Sequence, residues 1–252
     1  MVLLFRVHHT KDEMFDCSVS FIIAGYNEVN NVLDTVNETY DVLKDYFKDF
    51  EIILIDDGSK DNSLEVMKKC SKNYTNVRIM ENLINLNFGS SVLRGMLAAN
   101  KDYIVYDAFD LPLKPSVFVE KFKEMLENNS DVLVLQRESY SCTFWRKITS
   151  SANSILLKIL FPKLTMRTPV LNFTQIYKQE IIRSIIPLAR SPIFVWPELI
   201  FRAKLNGYKV DNTLTKPYIK EVRRGAFGHP HDIIWGVYDM LRFRMRLWMR
   251  KI

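Results

Sequence analysis

Two short apolar runs near the start of this chain each end in a polar, glycine-containing turn that opens a helix. Ala24-Gly25-Tyr26-Asn27-Glu28 closes the first run and Asp56-Asp57-Gly58-Ser59 closes the second. Parallel strands need a crossover connection, usually a helix, so repeating this unit builds a parallel sheet with helices on its faces. In such sheets ligands bind beyond the carboxyl ends of the strands, where these turns fall.

The pattern continues along the first half of the chain. Strands are predicted over 18–24, 51–55, 77–80, 103–106 and 131–135. Helices are predicted over 30–47, 63–70, 89–99 and 116–126, the first from Val32, Val36, Tyr40, Leu43 and Phe47 at helical spacing. Ser116, following Pro115, is the expected N-cap of the fourth helix. A third polar cluster, Asp107-Ala108-Phe109-Asp110, follows the fourth strand directly. Beyond Arg137 the alternation fades. An amphipathic helix over 144–160, a strand within 170–177, a helix over 197–206 ending at Gly207, a weak strand at 218–222 and a last helix over 231–250 are expected.

The size and make-up of the chain fit one α/β domain. Its 252 residues can bury a sizeable core, and 48% apolar with 25% charged residues is an ordinary globular composition. No proline-, glycine- or serine-rich linker divides it. We expect an N-terminal extension over 1–16, a main domain over 17–230 and a basic amphipathic helix over 231–252. Cys17, Cys70 and Cys142 are far apart, with no zinc spacing and no disulfide framework, which suits a reducing cytosol. No apolar run reaches the ~18 residues of a spanning helix. Net charge is +6, and Arg242, Arg244, Arg246, Arg250 and Lys251 crowd the tail. Such a surface favours anionic partners. Nucleic acid is disfavoured, because no stacking platform or known module accompanies the charge.

Several clusters could carry chemistry. Asp56 and Asp57 are either solvated turn acids or a pair reading the base edge and sugar hydroxyls of a nucleotide. Asp107 and Asp110 either cap a loop or hold Mg²⁺ or Mn²⁺, which prefer few carboxylates, water and diphosphate oxygens. Asn85, Asn87, Gly89 and Gly95 either form a loop with a glycine cap or let backbone approach a phosphate at Gly89. Arg223 and Arg224, flanked by Gly225 and Gly228, either stay solvated or fold over a diphosphate. GxxxxGK[ST], a GxGxxG after the first strand, and GxSxG are all missing, which speaks against phosphoryl transfer by a P-loop, dinucleotide binding and nucleophile-elbow hydrolysis.

The run Ile22-Ile23-Ala24-Gly25-Tyr26-Asn27-Glu28, the run Ile55-Asp56-Asp57-Gly58-Ser59-Lys60-Asp61, then Asn87 with Gly89, then the acidic turn at Asp110, in that order, resemble the inverting family-2 glycosyltransferases. The likeness is to the branch of dolichol-phosphate-mannose synthases and bacterial polyprenyl-phosphate glycosyltransferases. It covers 18–135, and continues weakly through Phe194, Pro197-Glu198-Leu199, Arg202-Ala203 and Asn206-Gly207, then Arg224-Gly225.

The resemblance implies an A-type glycosyltransferase fold, a mostly parallel nucleotide-binding sheet flanked by helices. It implies that Ala24, Tyr26 and Glu28 pack on the nucleotide, that Asp57 reads the base with Asp56 beside it, and that Asp110 is the main ligand of Mg²⁺ or Mn²⁺. The family's Asp-x-Asp is stretched here to Asp107-Ala108-Phe109-Asp110, and Pro112 stands where a ligand glutamine often stands. Either Asp107 reaches the metal through a bulge, or Asp110 holds it with little help. The activity implied is direct, inverting displacement of a nucleoside diphosphate by a polyprenyl-phosphate or cell-surface glycan acceptor. The alternative is a non-catalytic member that binds nucleotide sugar or a partner. Arg224 is the expected diphosphate contact, and Glu198 is the one late acid to nominate as a general base. A phosphate acceptor is already ionised near neutral pH and needs positioning by cations more than a base.

Tyr238, Leu241, Met245, Trp248 and Ile252 recur at helical spacing beside Arg242, Arg246 and Arg250. A helix of this kind either lies in an anionic membrane interface, here the cytoplasmic face of the cell membrane, or packs on the protein's own core. A homo-oligomer is compatible with the chain.

Overall fold

The computed structural model describes residues 14–110, 113–137, 144–166, 174–189, 191, 193–215 and 230–249. The strand expected at 218–222, Arg224, Arg250 and Ile252 lie outside these. Strand and helix alternate through β1 (Val19–Gly25), α1 (Val32–Tyr46), β2 (Phe50–Asp56), α2 (Ser63–Asn73), β3 (Val77–Glu81), α3 (Phe88–Ala98), β4 (Tyr103–Ala108), α4 (Pro115–Glu127) and β5 (Val132–Arg137). There follow α5 (Phe144–Leu160), α6 (Pro162–Thr165), β6 (Gln175–Lys178), α7 (Gln179–Ser184), α8 (Val195–Leu205), β7 (Val210–Thr215) and α9 (Pro230–Trp248).

Among the described residues the strands form one seven-stranded sheet in the order β3-β2-β1-β4-β6-β5-β7. All neighbours are parallel except β6, which runs antiparallel between β4 and β5. The sheet is buried on both faces, which is why its central strands read as unbroken apolar runs. Residue parity sorts the side chains. Phe21, Ile23, Ile52, Leu54, Val105 and Leu133 meet α1, α2 and α4, while Ile22, Ala24, Ile53, Ile55, Ile104 and Val132 meet α3, α5, α8 and α9.

Some sequence expectations change. The fourth helix starts one residue early: Pro115 occupies its first turn and Lys114 is the N-cap, so Ser116 is inside the helix. A proline's fixed φ suits the first helical position, and its missing N–H costs nothing there. The short helices α6 and α7 and the strand β7 are additions to the expected elements. Phe15, within the presumed extension, bridges Phe47 and packs its ring on Phe47 and Phe122.

The last helix packs one face on the protein's own core. Met240 and Phe243 are buried in the core, and Phe243 joins an aromatic cluster with Phe161, Phe194 and Phe201. The stripe of Tyr238, Leu241, Met245 and Trp248 stays exposed on the outside. No helix among the described residues is long and apolar enough to cross a membrane.

Candidate functional site

The carboxyl ends of β1 and β2 are joined by a dense set of hydrogen bonds. The Asp57 N–H donates to the Gly25 carbonyl at 2.9 Å. The Asn27 N–H donates to Ser59 Oγ at 2.9 Å, the Glu28 N–H to Ser63 Oγ at 2.8 Å, and the Lys60 N–H to Asn27 Oδ1 at 2.8 Å. Asn27 adopts φ 56°, a left-handed conformation that asparagine tolerates. Burial alone would raise the Asp61 carboxyl, but donors from Ser63 and Val29 outweigh it and hold Asp61 below the usual carboxylate range. The two phrases that stand out in the sequence thus form one rim.

Asp56 and Asp57 are both buried but differently engaged. Asp57 Oδ1 accepts from Asn82 Nδ2 at 2.8 Å, from the Leu86 N–H at 2.8 Å and from Ser91 Oγ at 2.7 Å. It ties the end of β2 to the β3–α3 loop and to the first turn of α3. Asp56 Oδ2 accepts from the Ser59 N–H at 3.0 Å, whereas Asp56 Oδ1 and Oδ1 of Asn82, which follows β3, find no donor among the described residues. A buried acceptor left this way costs about 1–3 kcal/mol, so a ligand bringing N–H or O–H groups fits here.

Gly58 makes this turn possible. Its φ is +72°, and a Cβ there would lie 2.7 Å from the Ile84 carbonyl carbon. Asn87 caps α3 by accepting from the Ser90 N–H, and Gly89 is buried in the first turn. Ala24 is buried within β1, while Tyr26 is 37% exposed on the rim. Glu28 is half-buried, with its carboxylate accepting from Asn31 Nδ2.

The acidic turn after β4 belongs to the same end of the sheet. Thr35 Oγ1 donates to the Phe109 carbonyl at 2.7 Å, and the Phe109 ring closes over Gly25. Asp107 is buried, and its two oxygens accept from the Ala108 N–H at 2.9 Å and the Leu113 N–H at 3.0 Å. It therefore holds the turn's backbone. Asp110 is half-buried at the tip of the turn. No group of three or more His, Cys, Asp or Glu side chains gathers to hold a metal among the described residues. One carboxylate at an open rim is a thin donor set, of the kind that suits a cation carried mainly by diphosphate and water.

A second group of contacts borders this rim. Tyr106, one residue before Asp107, stacks on Trp196 of α8 with ring centroids 4.4 Å apart. Glu198 is buried. Its Oε2 accepts from the Leu188 and Ala189 N–H groups at 3.0 and 2.7 Å, and its Oε1 accepts from Arg202 Nε at 2.7 Å. Its partners lie on α8 and on the loop before it, not on the turns of β1, β2 and β4. Asp239 of α9 accepts from the Ser191 N–H at 2.9 Å, fixing the same loop from the other side.

The model of the glycosyl transferase family 2 domain matches residues 20–184, from the start of β1 to the end of α7. The chain belongs to glycosyl transferase family 2. A dolichol-phosphate mannosyltransferase of Pyrococcus furiosus is 29% identical over 170 residues, which is 65% of this chain and 47% of that protein. A dolichyl-phosphate beta-glucosyltransferase of Trichomonas vaginalis is 28% identical over 156 residues, 56% of this chain and 48% of that protein. The chain thus spans about half the length of the curated relatives it matches. Among solved structures, glucosyl-3-phosphoglycerate synthase of Mycobacterium tuberculosis with phosphoglyceric acid superposes with a TM-score of 0.68 at 14% identity, covering 90% of this chain and 80% of that one. The same enzyme with Mn²⁺, uridine diphosphate and phosphoglyceric acid gives 0.67 at 14% identity, covering 91% and 79%. The fold is the A-type glycosyltransferase fold.

In this family-2 chain the turns at 24–28, 56–63, 82–91 and 107–110, with Leu113, are brought into one connected rim. Glu198 is drawn into the α7–α8 loop instead. Asn82, Ser91, Thr35 and Trp196 support the rim and were not singled out from sequence. Asn82 alone had a usable signal, as a polar residue immediately after a strand.

Proposed function

We propose that this family-2 chain catalyses inverting transfer of a sugar from a nucleotide-diphosphate-sugar to a polyprenyl-phosphate acceptor. What carries the reading is the connected rim, in which Asp56 keeps a buried oxygen with no donor among the described residues, beside Asp57, which is committed to holding the rim's frame. The likeness to a dolichol-phosphate mannosyltransferase favours a lipid phosphate over a surface glycan as acceptor.

In this reading Asp56 accepts a hydrogen bond from the base, and Asp57 positions the β3–α3 loop around it. Tyr26, Glu28 and the start of α3 at Gly89 border the nucleoside and its phosphates. Asp110 would hold Mg²⁺ or Mn²⁺, which when bound supplies charge neutralisation to the departing nucleoside diphosphate. Asp107 keeps Ala108 and Leu113 in place so that Asp110 stays at the rim. An acceptor phosphate oxygen forms the new bond to the anomeric carbon as the bond to the diphosphate breaks on the opposite face, and configuration inverts. The acceptor is already ionised, so no proton acceptor is needed. Glu198, whose oxygens serve Leu188, Ala189 and Arg202, is assigned to positioning its loop in place of the general-base role for which the sequence nominates it. Arg224, outside the described residues, is the proposed diphosphate contact. We place the reaction at the cytoplasmic face of the cell membrane, with the outer stripe of α9 resting on anionic headgroups.

A second reading has one observation in its favour. Both oxygens of Asp107 are committed to backbone N–H groups, which suits a non-catalytic member that only binds nucleotide sugar. Calorimetry with UDP- and GDP-sugars, with and without Mn²⁺, separates the two. Metal-dependent donor binding is expected; metal-independent binding without turnover on any lipid or glycan acceptor favours the binder.

A further inference from the structure

α5 leaves and re-enters the catalytic end of the sheet. It follows the carboxyl end of β5 at Arg137 and leads back to β6, whose antiparallel course starts at that same end. α5 packs inward through Leu157, beside the Phe161 ring and against α9. Its opposite side is apolar as well: Ile148 is 41%, Ile155 57% and Ile159 69% exposed. With Ala152, also exposed, these residues recur at i, i+4, i+7 and i+11, one straight stripe along the helix. An outward stripe of large β-branched residues gains nothing from water and is not needed for the core.

α9 repeats the arrangement. It packs inward through Met240 and Phe243, and exposes Ile234 (68%), Leu241 (48%), Met245 (57%) and Trp248 (83%).

Charge decides what meets these stripes. Residues 139–177 contain five basic residues and no acid, and residues 240–252 contain five and no acid. Together they exceed the chain's whole net charge of +6, so the rest of the molecule is net acidic. A second copy of the chain would set these like charges against each other. An anionic bilayer complements them, taking apolar stripes into its acyl boundary while cations such as Lys158 and Lys163 stay with the headgroups.

We propose that α5 joins α9 in a two-helix surface that docks the catalytic rim on an anionic lipid bilayer. This rests on the membrane reading of α9 given above and adds α5, which the tail's sequence did not suggest. Two contact lines, unlike one, fix orientation: they turn the open end of the sheet toward the layer from which a lipid phosphate is presented.

The test is co-sedimentation of the full chain with phosphatidylcholine vesicles, with and without phosphatidylglycerol, in the absence of donor sugar. The wild type is expected to bind only the anionic vesicles. Ile155→Asp/Ile159→Asp and Leu241→Asp/Met245→Asp are each expected to weaken binding by at least about tenfold, since each removes two apolar anchors. All four positions are exposed, so the melting temperature should hold, and transfer to a short, water-soluble polyprenyl phosphate should stay within about twofold. If the α5 variant binds as the wild type does while the α9 variant fails, the role of α5 is wrong and that of α9 survives. Failure of the wild type to bind anionic vesicles overturns both. A wild-type dimer in light scattering that either variant dissociates assigns the surface to a second copy and overturns the proposal. Because binding is read without donor, its outcome is independent of sugar transfer.

Discussion

Asp56 and Asp57 are chemically identical neighbours with different partners, and the proposed function gives the first to binding and the second to folding. Asp57→Ala would leave Asn82 Nδ2, the Leu86 N–H and Ser91 Oγ without their shared acceptor. We expect it to destabilise the protein by about 2–4 kcal/mol, read as a lower midpoint in urea. Asp56→Asn keeps an oxygen for the Ser59 N–H but turns one acceptor into a donor. It should leave the midpoint within about 0.5 kcal/mol and weaken nucleotide affinity by about tenfold or more in calorimetry. Equal loss of stability in both would contradict the division. The acidic turn makes a parallel case. Asp110→Ala should lower transfer by at least about a hundredfold, while Asp107→Ala, which loosens Ala108 and Leu113, should cost activity less and stability more. Equal losses of activity would mean that Asp107, too, reaches the reacting groups.

Among the elements, those with a strong local signal were legible and those set by distant pairing were not. α5 runs over Phe144–Leu160, where its apolar spacing predicts it, and α8 ends just before Gly207, whose φ is +85°. β7 reads Val-Asp-Asn-Thr-Leu-Thr, a half-exposed edge strand with one fully buried residue, and it carries little apolar pattern. The position of β6 between β4 and β5 has no local signal, because it is fixed by the long excursion through α5 and by pairing of Ile176 with Val105 and Leu133. The rim is similar. Its acids and glycines were visible as motifs, but the commitment of Asp57, Asp107 and Glu198 to donors within the protein depends on loops that meet only in three dimensions. Gly58 tests the rim as an element. Gly58→Ala places a methyl group against the Ile84 backbone at a left-handed φ, and should cost about 1–3 kcal/mol and weaken nucleotide binding by shifting the loop that Asp57 holds.

The whole molecule is a three-layer sandwich with the proposed site at one end of its sheet and a structural ion pair at the other. Near the amino ends of β1 and β2, Glu51 accepts from Ser20 Oγ at 2.6 Å, from the Asn100 N–H at 3.0 Å and from Arg78 Nε at 2.7 Å. Burial alone would raise its carboxyl, but Arg78, Ser20 and Asn100 outweigh that and hold it below its ordinary 4.5. Its contribution is therefore complete above pH 4.5 and is lost as pH falls through the lower folded-state value. Glu51→Gln should melt below the wild type at neutral pH, and the gap should narrow as the solution is acidified under pH 4.5. A constant gap would mean that the pair contributes nothing through charge. The opposite end carries the activity proposed here, and transfer itself tests it most directly. The protein is incubated with Mn²⁺, a polyprenyl phosphate and isotopically labelled UDP- or GDP-sugar, and the anomeric configuration of the lipid product is read by NMR. The expected result is a glycosyl phospholipid inverted relative to its donor and absent with Asp110→Ala. Donor bound but never transferred, or a product that retains the donor's configuration, would contradict it.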